Sequence, residues 1–115
     1  MKDDFQPWFA SISAVPGMLA CGVRRPAGKC VTFGEEKNYP VEKLEKLLHQ
    51  FAELHEPLPA AEFSPRWTTW AFEYGHIRFV ARPDKWLLML LASPDSDAVR
   101  ELDRISEDFL ARSFK

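Results

Sequence analysis

Residues 86–92, Trp-Leu-Leu-Met-Leu-Leu-Ala, are apolar at every position. Successive side chains of a strand point to opposite faces, so a strand covered on one side alternates apolar and polar residues. A run without a polar position needs cover on both sides. The run is about a third of the length of a membrane span, which makes it a central strand and not a bilayer helix. A chain containing it must fold as a sheet with helices on both faces.

The rest of the sequence supplies those partners. Phe5, Trp8, Phe9, Ile12 and Val15 fall at helical spacing, with Asp3 or Asp4 as cap, Pro7 in the first turn and Pro16-Gly17 as the stop. Residues 19–25 and 29–33 read as a hairpin around Pro26-Ala27-Gly28, with Leu19, Cys21 and Val23 sharing a face. A second helix opens at Pro40, carries Val41, Leu44, Leu47, Leu48, Phe51 and Leu54, and ends before Pro57 and Pro59. Its apolar stripe spreads over roughly 140°, wider than a narrow coiled-coil seam, so it is able to touch two surfaces.

Three strands follow the loop 57–65. In residues 67–74, Thr68, Trp70, Phe72 and Tyr74 form the more apolar face. A turn at Gly75-His76 leads into residues 77–82, where Ile77, Phe79 and Ala81 oppose Arg78, Val80 and Arg82. The turn Pro83-Asp84-Lys85 leads back to the central strand. Residues 93–97 then cap a last helix bearing Val99, Leu102, Ile105, Phe109 and Leu110 and running almost to Lys115. The expected fold is α/β (α+β): a five-stranded antiparallel sheet with helices on both faces, in the order α-β-β-α-β-β-β-α, as one domain over residues 1–115.

Composition removes several function classes. Fifteen basic residues against seventeen acidic ones give a net charge of −2, with no basic run longer than Arg24-Arg25. Nucleic-acid binding needs a concentrated basic face, so no such partner is expected. The four tryptophans lack the interleaved basic residues of a base-stacking platform. Met1-Lys2-Asp3-Asp4 leads into an amphipathic stretch unlike a secretory signal, so a cytoplasmic location without membrane partners is expected. Cys21 and Cys30 flank the first hairpin turn; a direct cross-strand bridge would centre it on Arg25-Pro26, which suits Pro poorly, so two free thiols are expected.

No assembled catalytic or cofactor motif is present. Residues 22–30 depart from a phosphate-binding loop in glycine spacing, in Cys30 where a hydroxyl is needed, and in joining two strands. On a helix His49 and His55 lie roughly 240° apart, and neither HExxH nor Cys-x-x-Cys occurs, so no metal or cofactor is expected. No G-x-S-x-G elbow is found. The expectation is a non-enzymatic binding protein.

The element order resembles the roadblock (dynein light chain) family, within a wider group that also includes profilin-like and longin-like domains. Particular segments are similar: the opening helix ended by Val15-Pro16-Gly17-Met18, the paired strands beyond it, and the closing segment from Ser93 through Val99, Arg100, Leu102 and Leu110. The proline-rich residues 59–66 and Ala98 in place of a glycine depart from the pattern. The resemblance implies a dimer in which the second helix and third strand of two copies meet. It also implies a partner such as a small Ras-like GTPase, a motor subunit or another roadblock-like chain. Leu44, Leu47, Leu48, Phe51 and His55 of the helix stripe, with Trp67 and Thr69 of the third strand, are the expected interface. The alternative is a small-molecule-sensing module built on Trp70, Phe72, Phe79 and Trp86.

Overall fold

The computed structural model describes residues 5–34, 38–55, 67–73, 75–82 and 84–114. Its elements are α1 (Phe5–Ser13), β1 (Met18–Arg24), β2 (Cys30–Gly34), α2 (Val41–His55), β3 (Trp67–Phe72), β4 (Gly75–Ala81), β5 (Leu87–Ala92) and α3 (Asp97–Ala111). The expected cap at Asp3 or Asp4, the stop at Pro57 and Pro59, Tyr74, Pro83 and the side chain of His55 lie outside the described residues.

The five strands form one antiparallel sheet in the order β2-β1-β5-β4-β3, with β5 in the centre. Its side chains divide as the uninterrupted apolar run requires. Leu88, Leu90 and Ala92 join α1 and α3 in one core, whereas Leu87 and Met89 join Leu44, Leu48 and Ala52 of α2 in the other. Apolar burial on both sides makes β5 the best-protected strand.

Four local features differ from the expectation. Gly75 and His76 are the first residues of β4, paired with Phe72 and Ala71, and not a turn. Glycine suits this strand position because a Cβ there would stand 2.9 Å from the carbonyl oxygen of Ala92. Leu19 does not share a face with Cys21 and Val23: the register slips between Met18 and Ala20, and Met18 takes the place in the α1/α3 core. Pro40 stands just before α2, its carbonyl accepting from the Lys43 and Leu44 amides.

Finally, α3 stops at Ala111 instead of continuing towards Lys115. Beyond it Phe114 packs with Phe5, Trp8 and Trp86, at centroid distances of 5.4, 5.1 and 5.0 Å. The start of α3 is as expected, with the Ser96 hydroxyl accepting from the Val99 amide.

The hairpin β1–β2 places Arg24 opposite Cys30 and Cys21 opposite Phe33, so the cysteines are not cross-strand partners, and both thiols are free. Gly28, with φ 99°, closes its three-residue tip. Gly17, with φ 90°, joins α1 to β1, where a Cβ would collide with Cβ and Oγ of Ser96.

Candidate interaction surface

The outer strand β3 has β4 on one side, and its side chains divide between two environments. Thr68, Trp70 and Phe72 are paired with Phe79, Ile77 and Gly75 of β4, and of these Phe79 and Ile77 belong to the α2 core. Trp67 and Thr69, paired with Val80 and Arg78, point to the α1/α3 side. Trp70 is 48 % exposed and Phe72 51 % exposed. Phe72 faces Gly75, which offers no side chain to cover it.

An aromatic ladder links this strand to α2. Phe51 stacks on Phe79 with centroids 4.4 Å apart, and the Trp70 ring stands edge-on to Phe79 at 5.6 Å. One turn before Phe51, Leu47 is 38 % exposed. Leu47, Phe51, Trp70 and Phe72 thus lie on the α2 side of the sheet, with Phe79 buried beneath them.

The residues expected from the sequence to form one interface are therefore placed differently. Leu44 and Leu48 are buried against Ala20, Phe79, Leu87 and Met89. Trp67 and Thr69 stand on the opposite side of the sheet from α2: the Arg78 guanidinium lies 5.0 Å from the Trp67 ring and its Nε donates to Thr69 Oγ1 at 2.8 Å. Leu47 is exposed, and Phe51 is half-buried against Phe79 of β4. Trp70 and Phe72, assigned to the apolar face of the strand by alternation, are the accessible members of that face.

Arg24 Nε donates to His49 Nδ1 at 3.0 Å, leaving the ring proton to Nε2, which lies 3.8 Å from Cys30 Sγ. This trio resembles an activated thiol in composition only. Burial first, and Glu45 second, push the Cys30 thiol up against the opposing effect of Arg24. A thiol raised in this way stays protonated at neutral pH and is a poor nucleophile. Among the described residues no three His, Cys, Asp or Glu side chains come together as a metal site. No helix among them is long and apolar enough to cross a membrane.

A shallow hollow of about 400 Å³ lies at the other margin of the sheet, lined by Met18, Leu19, Phe33, Gly34 and Tyr39. The aromatic residues expected to surround a ligand are not there. Phe79 and Trp86 are buried in two different cores, while Trp70 and Phe72 face outwards.

Solved structures share this arrangement. MglB of Myxococcus xanthus superposes with a TM-score of 0.64 over 94 % of this chain and 95 % of its own, at 9 % identity. The crystal structure of MglC from the same organism gives 0.59 at 20 % identity over 94 % of this chain and 98 % of its own. A Roadblock/LC7 domain from Streptomyces avermitilis gives 0.57 at 13 % identity over 87 % and 88 %. The fold is roadblock-like. No family model matches the chain, and no curated protein matches it in sequence. The roadblock-like likeness thus resides in topology and not in shared residues, and it extends over nearly the whole of the chain.

Proposed function

We propose that this roadblock-like chain is a non-enzymatic dimeric scaffold or regulatory protein. Two copies meet through β3 and the adjoining flank of α2, and the assembly receives a small Ras-like GTPase or another roadblock-like chain. The observation that carries the reading is the half-exposed pair Trp70 and Phe72 on an outer strand, continued by the Trp70–Phe79–Phe51 ladder to α2. Large apolar side chains half-exposed on the outer strand of a sheet are an aggregation hazard unless another surface covers them. A two-fold axis beside β3 meets this demand, because it buries the aromatic face against its own copy.

The interface of this proposal is Leu47, Phe51, Trp70 and Phe72. The GTPase partner is inferred from the resemblance to roadblock domains. Light scattering over a dilution series is the test. A mass near twice 13.3 kDa that dissociates when Trp70 is replaced by Asp supports the reading. A folded monomer at every concentration removes it. Binding of a candidate GTPase that ignores its nucleotide state removes the GTPase part.

A further inference from the structure

Arg78 and Ser106 are the buried polar residues among the described residues, and they meet between β4 and α3. Sequence alternation places Arg78 on the opposite face of β4 from Phe79, but it does not reveal that this face is covered. The guanidinium is surrounded by partners. Nε donates to Thr69 Oγ1 on β3 at 2.8 Å, and Nη1 donates to Asp103 Oδ1 at 2.6 Å and to Ser106 Oγ at 3.4 Å, both on α3. Its Cζ lies 5.0 Å from the centroid of the Trp67 ring, also on β3. A buried cation must have such partners, because an unpaired one is strongly destabilising.

We propose that Arg78 is a positioning residue for the surface on the other side of the sheet, latching outer strand β3 to α3 and so setting how tightly a second copy pairs there. This rests on the dimer reading above. Side chains alternate along a strand, so holding Trp67 and Thr69 on the α3 side fixes the direction in which Thr68, Trp70 and Phe72 leave the other side. A strand ordered in advance loses less conformational freedom when a partner pairs with it. Asp103 is 75 % exposed, so the latch reaches the protein surface on the α3 side of the sheet.

Two variants cut the latch while keeping shape. Thr69→Val removes the acceptor and retains β-branching, and Arg78→Met removes the charge and keeps an apolar stem of similar length. Hydrogen exchange of amides 67–72 is measured at a concentration where the wild type is monomeric, and the dimer dissociation constant is measured separately. Arg100→Met, which breaks the surface pair with Asp97 at the start of α3, is the control. Thr69→Val is expected to raise exchange at 67–72 and the dissociation constant about fivefold, the effect of one hydrogen bond, and Arg78→Met, which also loses Asp103, Ser106 and the Trp67 ring, at least as much. The double variant does no worse than the more severe single one, because both cut the same bond. The control changes neither quantity. Unchanged exchange in both latch variants overturns the proposal, as does faster exchange with an unaltered dimer constant. A wild type that never dimerises removes the dimer reading and the affinity half of this proposal, and exchange alone then decides whether the latch exists.

Discussion

Phe51 of α2 lies nearly parallel to Phe79 of β4, 14° between ring planes and 4.4 Å between centroids. Phe79 is 2 % exposed and also meets the Trp70 ring, 72° between planes and 5.6 Å between centroids, so one buried ring joins a helix flank to an outer strand. A buried and a half-exposed aromatic residue thus lie in contact, so stability and the proposed contact are testable separately.

Phe79→Ala should cost about 3–5 kcal/mol of folding stability by opening a cavity under both aromatic neighbours. Phe72→Ser, at a half-exposed position facing a glycine, should change stability by no more than about 0.5 kcal/mol. On the proposed function it should nonetheless weaken the dimer at least tenfold. Urea denaturation and light scattering on the two variants separate these effects. A Phe72→Ser protein that dimerises like the wild type would show that the aromatic strand face is not the contact.

Cys21 is fully buried, with its Sγ 3.4 Å from the Ser13 hydroxyl. Burial raises its thiol to about 11, against a smaller lowering by Ser13. The folded state therefore keeps a proton that the unfolded chain releases above pH 9. The associated stability is complete below pH 9 and is lost as the pH rises towards 11, at about 1.4 kcal/mol per unit at most. Denaturation midpoints from pH 8 to 11 should show this fall, and Cys21→Ala should flatten it. A thiol reagent at neutral pH should label half-buried Cys30 first and reach Cys21 only through opening of the core.

Gly17→Ala should be destabilising by about 2 kcal/mol or more. The position combines a φ of 90°, unfavourable for any side chain, with a Cβ site already filled by Ser96. Calorimetry should show the loss, and a wild-type melting temperature would mean that the α1–β1 and β5–α3 connections do not meet as described. The same close approach is spanned by hydrogen bonds from the Ser93 amide to the Gly17 carbonyl and from the Ala98 amide to the Pro16 carbonyl.

Much of the architecture follows from the sequence alone. The apolar run at residues 86–92 has no polar position to expose, so a central strand with helices on both faces is required of any compact fold of this chain. Alternation of Ile77, Phe79 and Ala81 against Arg78, Val80 and Arg82, and helical spacing in α1, α2 and α3, pick out the main core residues of those elements. These are short-range periodicities, written along the chain and independent of which elements later become neighbours.

Tertiary structure decided what is left uncovered. Alternation assigns Trp67 and Trp70 to opposite faces but cannot tell which face a helix extends over, and both read as large aromatic residues on a strand. In the fold the Arg78 guanidinium covers Trp67, while Trp70 lies half-exposed beyond Phe79 at the margin. Likewise Leu44, Leu47 and Leu48 share one helical stripe, yet the rotation of α2 on the sheet buries the first and last and leaves Leu47 at the surface. Exposure is a property of distance between elements remote in sequence, and only their packing fixes it.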